Sequence, residues 1–163
     1  MLRRMVINLE QNIELAEQLR FLILAAERQG GRMLQSALSK ESITGSQAEV
    51  LRVLEERGPL SLKELGFLLI CEGGSPSRLV NKLVQDGYII RDTDPKDSRA
   101  VILRLSDKGV EKSRRVTLIE QELYTMISRK IDNDKLESIN QFLCELLSEE
   151  PIAGSLQARG FMK

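Results

Sequence analysis

The chain lacks the residue types on which several common kinds of site depend. Its 163 residues include no histidine, which argues against a typical zinc sensor and against a Ser-His-Asp hydrolase. The two cysteines, Cys71 and Cys144, are too few for a disulfide scaffold and fit a reducing compartment. The sequence has no glycine-rich phosphate loop, and its carboxylates follow no motif spacing. It therefore predicts a protein that is not an enzyme and that uses no cofactor or metal.

Long apolar runs and a bias of charge are also missing. No run approaches the roughly 18 apolar residues of a membrane span, and the N-terminal MLRRMVINLEQN has charges where a signal peptide is apolar. These absences predict a cytoplasmic protein with no membrane partner. Because 24 basic residues balance 24 acidic ones, bulk charge gives no sign of a nucleic-acid partner. The hydrophobic fraction of 42% is ordinary for a globular chain.

The segment SPSRLVNKLVQDGY predicts a short helix with two different faces. The apolar face consists of Leu79, Val80, Leu83 and Val84. The polar stripe consists of Arg78, Asn81, Lys82 and Gln85, at helical spacing. Side chains of these types match base edges in a major groove, and the two cations also attract phosphates. The alternative interpretation is an ordinary solvated helix face.

A two-stranded hairpin is predicted directly after this helix. The strands are YIIRD and AVILRL, and the turn between them is TDPKDSR. Pro95, flanked by Asp94 and Asp97, is typical of a turn, and the alternation of Val101, Leu103 and Leu105 is typical of a half-buried strand. A polar-striped helix followed by a hairpin indicates a winged helix.

Capping patterns predict the other helices of the chain. Ser46-Gln-Ala-Glu49 reads as a capping box for a helix to about Arg57, which Gly58-Pro59 ends. Ser61-Leu-Lys-Glu64 reads as a second box, for a helix through about Ile70. Farther along, Ser106 should cap a helix to about Arg129, and Asp132 or Asp134 should start another through about Leu147.

The terminal segments carry more apolar surface than a winged-helix lobe over residues 46–106 can cover. Segment 5–38, which Gly30-Gly31 could interrupt, and segment 107–147 both show apolar stripes at helical spacing. We expect them to be dimerisation helices that interdigitate with those of a second copy. The alternative is a monomeric bundle packed on the lobe. The tail, residues 149–163, lacks periodicity and is expected to be loosely held.

This order of elements resembles the MarR (multiple antibiotic resistance regulator) family of bacterial transcription factors over roughly residues 9–147. The most specific match is GYIIRDTDPKDSRAVILRLSDKG. The family wing has a Gly-hydrophobic-hydrophobic-x-Arg strand, an Asp-x-Arg tip and a strand ending in Leu-Thr/Ser-x-x-Gly. In this chain these parts are Gly87 to Arg91, Asp97-Ser98-Arg99 and Leu105 to Gly109.

The resemblance implies roles for individual residues. Arg99 would enter the minor groove of DNA with Asp97 orienting it, and Arg78 would lie in the major groove or on its phosphates. A narrow minor groove attracts an inserted arginine, and a carboxylate can hold a guanidinium in one orientation. The alternative is that Asp97 and Arg99 close the hairpin as a solvated pair. Ser75 and Ser77, at the start of the predicted helix, complete the predicted DNA contacts.

Two positions depart from the family pattern. Ile70 stands where the family has glycine, while Gly73-Gly74 occupies the usual first turn, and Pro76 suits the first helical position after a Ser75 cap. The helix should therefore start about a turn late or begin irregularly. Oxidant-sensing members carry a cysteine in the first helix, where this chain has Arg20. We therefore interpret Cys71 as a small turn or core residue and Cys144 as core.

The sequence thus predicts a single domain over residues 1–163, mainly α with a small β-hairpin wing. The predicted function is that of a homodimeric winged helix-turn-helix repressor that binds a pseudo-palindromic DNA operator. By resemblance, a small aromatic or phenolic effector would bind between the dimerisation helices and the lobe and release the DNA. The alternative function is a winged-helix module that binds protein and recognises no operator.

Overall fold

The computed structural model describes residues 2–70, 75–93 and 100–163, with side chains from residue 11 onward. Its helices are α1 (Leu2–Leu38), α2 (Gly45–Arg57), α3 (Leu62–Leu68), α4 (Pro76–Gln85), α5 (Asp107–Lys130), α6 (Asn133–Leu147) and α7 (Ala153–Ala158). Its strands are β1 (Leu60–Ser61), β2 (Ile89–Thr93) and β3 (Val101–Leu105). A mainly α fold with a small antiparallel sheet confirms the predicted fold class.

The sheet has the order β1-β3-β2 and is antiparallel throughout. In the hairpin, Ile89 pairs with Leu105 at one end and Thr93 pairs with Val101 at the other. The predicted hairpin is therefore confirmed. Strand β1 was not predicted, because two residues are too few to show a periodicity. It forms by pairing with β3, where Leu60 lies opposite the buried Leu103.

The hydrophobic core lies between α2, α3, α4 and the sheet. Helix α2 contributes the largest share, since five of its apolar side chains are buried, and Leu65, Val80, Leu83 and Leu103 complete the centre of the core. The long helices reach this core through Leu34 and Leu38 of α1 and through Val116 and Ile119 of α5. Most of α1 and the second half of α5 thus extend away from the core.

Helix α2 begins earlier than predicted. Thr44 is its N-cap, and a capping box joins Thr44 to Gln47, with the Gln47 N–H donating to Thr44 Oγ1 over 3.2 Å. The predicted box at Ser46 and Glu49 is wrong, because Glu49 is buried and accepts a hydrogen bond from the N–H of Ile70 instead. Two overlapping quartets fit the same pattern, and the packing of Glu49 decides between them.

The other predicted helix starts are confirmed. Ser61 and Glu64 form the second capping box, and Ser106 and Asp132 accept hydrogen bonds from the first turns of α5 and α6. Helix α1 runs through Gly30-Gly31 without the interruption that these glycines could cause. A glycine in a helix costs only about 1 kcal/mol relative to alanine, which a helix of 37 residues tolerates.

The prediction of a loosely held tail is wrong. Helix α7 packs on α3, with Ala153 and Ser155 buried and the Ser155 hydroxyl donating to the carbonyl of Phe67 over 2.5 Å. Gly154 faces the ring of Phe67, and a Cβ there would lie 3.4 Å from its Cζ. A helix of six residues shows no clear periodicity, so only its tertiary contacts reveal that it is anchored.

Helix α6 has no buried residue in the single chain. Cys144 is only partly buried there, with Sγ 3.8 Å from the carbonyl oxygen of Phe161, so its predicted core position is not reached within one chain. Across residues 2–70, 75–93 and 100–163, none of the helices has the length and apolar character to cross a membrane.

A close junction joins α5 to the start of the hairpin. The N–H of Ser106 donates to the carbonyl of Tyr88 over 3.0 Å, and the Ser106 hydroxyl donates to the carbonyl of Gly87 over 2.7 Å. The same hydroxyl accepts from the N–H of Gly109. A Cβ at position 109 would lie 2.0 Å from the Tyr88 carbonyl oxygen. Glycine is therefore the residue that permits this approach.

We expect Gly109→Ala to lower the free energy of unfolding by about 2 kcal/mol or more, because the added methyl group must displace backbone. Urea denaturation at fixed protein concentration measures the effect. Gly31→Ala is the matched control, since a Cβ at Gly31 has nothing within 4 Å. It should be neutral or stabilise α1 by up to about 1 kcal/mol. Equal stability of Gly109→Ala and the parent would contradict the described junction.

Candidate nucleic-acid interface

Helix α4 is fixed on the lobe by its apolar face. Val80 and Leu83 are fully buried, and Leu79 and Val84 pack against the same core. At its start, Pro76 lies against Gly66 of α3, where a Cβ would come within 3.3 Å of the proline Cγ. Ser75 is the N-cap residue and Pro76 is first, which confirms the predicted late start, although Ser75 makes no side-chain capping bond.

The buried face leaves the polar stripe of α4 in solvent. Its four side chains, Arg78, Asn81, Lys82 and Gln85, are all exposed on one side of the helix. Of the other predicted contacts, Ser75 is exposed and Ser77 is half-buried. The structure thus brings the predicted helical residues together on one accessible surface, as amphipathic spacing requires.

Two side chains of the stripe have polar partners. Lys82 Nζ lies 2.9 Å from Asp86 Oδ1, one turn farther along the chain. Arg91, on β2, donates from Nη2 to Asn81 Oδ1. This bond joins the hairpin to the helix. Because it uses the Asn81 oxygen, the NH₂ group of Asn81 is left to donate hydrogen bonds. Sequence reasoning did not include Arg91 among the site residues, although its place in the strand after the helix was a usable signal.

Two carboxylates at this surface, both among the described residues, pair with cations. Asp86 pairs with Lys82, and Asp92 on β2 pairs with Arg104 on β3 across the hairpin. All of these side chains are at least one-third exposed, so the pairs are screened by water and exchange easily for other partners. A polyanion could therefore recruit Lys82 and Arg104 while Arg78 and Arg91 add further positive charge.

The wing tip is not part of the described structure. Asp97 and Arg99 lie outside the described residues, as does Cys71, and their predicted roles stay predictions. What the structure does give is the hairpin that carries the tip, from Thr93 on one strand to Val101 on the other. In the described parts of the chain, no group of His, Cys, Asp or Glu side chains could hold a metal ion.

The first turn of α5 contacts both the end of α4 and the start of the hairpin. Lys108 Nζ donates to the carbonyl of Asp86 over 2.6 Å and lies 4.5 Å from the centre of the Tyr88 ring. With the Ser106 junction, these contacts link the end of α4, the start of β2 and the first turn of α5. A displacement of α5 would therefore move the polar stripe and the hairpin together.

Comparison with known proteins places a DNA-binding module over the same part of the chain. The family model described as "Winged helix DNA-binding domain" matches residues 43–109, which span α2 to the first turn of α5. The matched range includes α4, the hairpin and the junction at Gly109.

Curated relatives give the same result. Over 98 residues the chain is 30% identical to the organic hydroperoxide resistance transcriptional regulator of Bacillus subtilis, covering 60% of this chain and 67% of that protein. It is 40% identical over 62 residues to the uncharacterised HTH-type regulator YkoM of the same organism, covering 38% and 40%. The chain thus spans less than half the length of this second relative.

A solved structure extends the likeness beyond the lobe. The crystal structure of a MarR variant from Escherichia coli, complexed with operator DNA, is 25% identical with a TM-score of 0.72. The match covers 80% of this chain and 94% of that one. A likeness of this extent includes long helices as well as the winged-helix lobe.

Proposed function

The chain belongs to the MarR family of winged helix-turn-helix transcription factors, and we propose that it is a homodimeric repressor of a pseudo-palindromic operator. The family consists of transcriptional regulators and not enzymes, as the sequence predicted. The observation that carries the proposal is the exposed polar stripe of α4 beside a hairpin, in a fold shared with an operator-bound relative. A fluorescence anisotropy titration against DNA upstream of its own gene, at several salt concentrations, tests it.

Unburied apolar surface on the long helices supports the dimer. Ile13 of α1 is 60% exposed, Leu118 of α5 is 61% exposed and Ile139 of α6 is 45% exposed. Other large apolar side chains exposed on these helices are Leu15, Phe21, Leu22, Tyr124, Phe142 and Leu146. An apolar surface of this extent is unusual for a monomer and is covered most simply by a second copy. The symmetry of such a dimer would be matched by a pseudo-palindromic operator.

A regulator of this kind would act in the cytoplasm and could be released from DNA by an effector. A cavity of about 220 Å³ lies between α1 and α5. Its lining is mostly apolar and consists of Met33, Leu34, Ala37, Ile119, Glu122, Leu123 and Met126. Such a lining suits the small aromatic or phenolic compound that the family resemblance implies. Whether the chain responds to such a compound stays a prediction.

We expect the protein to be a dimer at micromolar concentration, and Phe142→Glu should convert it to monomer. Ile139, Phe142 and Leu146 lie on one face of α6, where a carboxylate would have to be buried on assembly. Light scattering gives the mass. Gln141→Lys is the control, because it changes the charge of α6 by the same amount away from this face and can pair with Glu145, so it should leave the dimer intact.

A parent protein with the mass of a folded monomer would contradict the dimer. Deleting residues 1–20 removes the first half of α1 and should cost both dimerisation and operator affinity, because the two half-sites are then no longer bound as a unit. A deletion variant that stays dimeric would show that α1 is not part of the interface.

Arg78→Ala and Lys82→Ala should each weaken operator binding. A residue that contacts a guanine should also relax the sequence preference, by about 1–3 kcal/mol. One that contacts a phosphate should weaken all sequences alike and lower the salt slope by about 1. Lys135→Ala is the control, since Lys135 pairs with Asp132 at the start of α6. If both variants bind as the parent does, α4 does not read the operator.

The wing tip gives a prediction whose sign is informative. We expect Arg99→Ala to lower affinity and to flatten the preference for A·T pairs at the flanks of the site, because it removes a minor-groove contact. Asp97→Ala should also weaken binding if Asp97 orients Arg99, although it removes an acidic group from a DNA-facing surface. Adding it to Arg99→Ala should then cause little further loss.

A solvated turn predicts the opposite sign for Asp97→Ala. Deleting a carboxylate that only repels phosphates should strengthen binding slightly, most of all at low salt. Anisotropy titrations of the two single variants and the double variant over a range of salt concentrations distinguish the cases. Tighter binding by a folded Asp97→Ala at every salt concentration would refute the orienting role.

A further inference from the structure

Helix α7 returns to the lobe and contacts α2 and α3. The Ser155 hydroxyl donates to the carbonyl of Phe67 on α3, and Arg57 Nη2 at the end of α2 donates to the carbonyl of Ala158. Since α7 follows α6 after a short connection, the last residues of the chain tie the long helices to the lobe. Helix α7 therefore packs on the winged-helix lobe through α2 and α3.

A buried ion pair lies at this contact. Arg159 Nη1 is 2.6 Å from Glu49 Oε1, and both side chains are only 9% exposed. The same carboxylate oxygen accepts a hydrogen bond from the N–H of Ile70 over 2.9 Å. Ile70 follows α3, and α4 begins at Pro76. The Glu49 carboxylate thus connects Arg159 to the backbone at Ile70, between the two helices of the helix-turn-helix.

The pair is a poor device for stability alone. Two desolvated charges gain little over apolar residues of similar size, whereas removing one partner leaves a costly unpaired charge. In the described structure Arg159 Nε is also buried without a hydrogen-bond partner. Without Arg159, the buried Glu49 carboxylate would lose this counter-ion, which would weaken its hydrogen bond with the Ile70 N–H. The backbone after α3, which leads to α4, would then lose a hydrogen bond that holds it in place.

Arg159 also faces α5. The pKa of the Glu120 carboxyl on α5 is raised by burial, and the cations of Arg52 and then Arg159 oppose this rise while the nearby Glu56 carboxylate adds to it. The charge of Arg159 therefore acts on a carboxyl group of α5 as well as on Glu49 of α2.

We propose that Arg159 is a positioning residue for DNA binding, which holds α4 in its reading position through Glu49 and the Ile70 N–H. The inference rests on the proposed function, because it assigns to α7 a part in operator affinity. In consequence, α7 couples the long helices to the reading module. Arg159 itself contacts no DNA in this scheme.

The test compares three variants of the full chain with the parent. Arg159→Met removes the cation and keeps most of the side-chain length. Glu49→Gln keeps an oxygen that can accept from the Ile70 N–H but needs no cation. The double variant Glu49→Gln/Arg159→Met has a neutral site with that acceptor still present. Lys135→Met, which breaks the exposed pair with Asp132, is the control for loss of a cation elsewhere.

The readouts are hydrogen exchange at the Ile70 amide and operator affinity, measured well below the melting temperature with a duplex that the parent selects from a randomised pool. Arg159→Met should lower the protection of this amide and weaken operator binding by about tenfold or more. The double variant should return to within about threefold of the parent, because the neutral amide holds the N–H unaided. Lys135→Met should match the parent in both.

Parent-like operator affinity of folded Arg159→Met would overturn the proposal and leave Arg159 with a purely structural role. A double variant as weak as Arg159→Met would also overturn it, because the defect would then not pass through Glu49. If Arg159→Met does not fold, Arg159→Gln replaces it, since glutamine removes the charge but keeps a polar side chain. Arg159→Gln should then lower both readouts, and parent-like values in both would overturn the proposal.

The parent's own behaviour separates the two ideas. A parent that enriches no sequence from the pool would refute the proposed operator recognition and with it the role of Arg159 in affinity. The exchange data would still decide whether Arg159 holds the Ile70 N–H. A parent that selects a sequence, with variants that all bind it equally, would leave the proposed function standing and refute the inference alone.

Discussion

The close approach of α5 to the carbonyl of Tyr88 is the contact on which the arrangement of the molecule depends. Gly109 permits it, and the hydrogen bonds of Ser106 to the carbonyls of Gly87 and Tyr88 fix its geometry. On one side of this junction lie α4 and the hairpin, and on the other side α5 leads to α6. Because the two backbones are in close contact at this junction, α5 and the polar stripe of α4 keep a fixed orientation relative to each other.

The division between the lobe and the long helices follows from where apolar residues can be buried. The lobe has a complete core around α2, whereas α6 has no buried residue in the single chain. Helices that expose an apolar face do not remain unpartnered in water, so the proposed dimer is an outcome of the same hydrophobic effect that forms the lobe. In such a dimer, the spacing of the two reading helices would be set by residues far from DNA.

Helix α7 shows how a segment without a sequence signal can still be important. Its six residues show no clear periodicity, yet Ser155 and Arg159 connect it to α3 and to the buried Glu49. The spacing of Glu49 from Ser46 fits a capping box. The carboxylate is instead enclosed by the return of the C-terminal segment, a contact between residues that are 110 positions apart.

Local sequence patterns are sufficient to predict most of the helices, the hairpin and the polar stripe of α4. The periodicity of α4 placed Arg78, Asn81, Lys82 and Gln85 on one exposed stripe, and alternation placed the hairpin, because helix and strand geometry depend on neighbouring residues. Tertiary structure alone decided the pairing of Arg91 with Asn81, strand β1, the start of α2 and the anchoring of α7. Each of these depends on contacts between distant segments, whose energies no local pattern encodes.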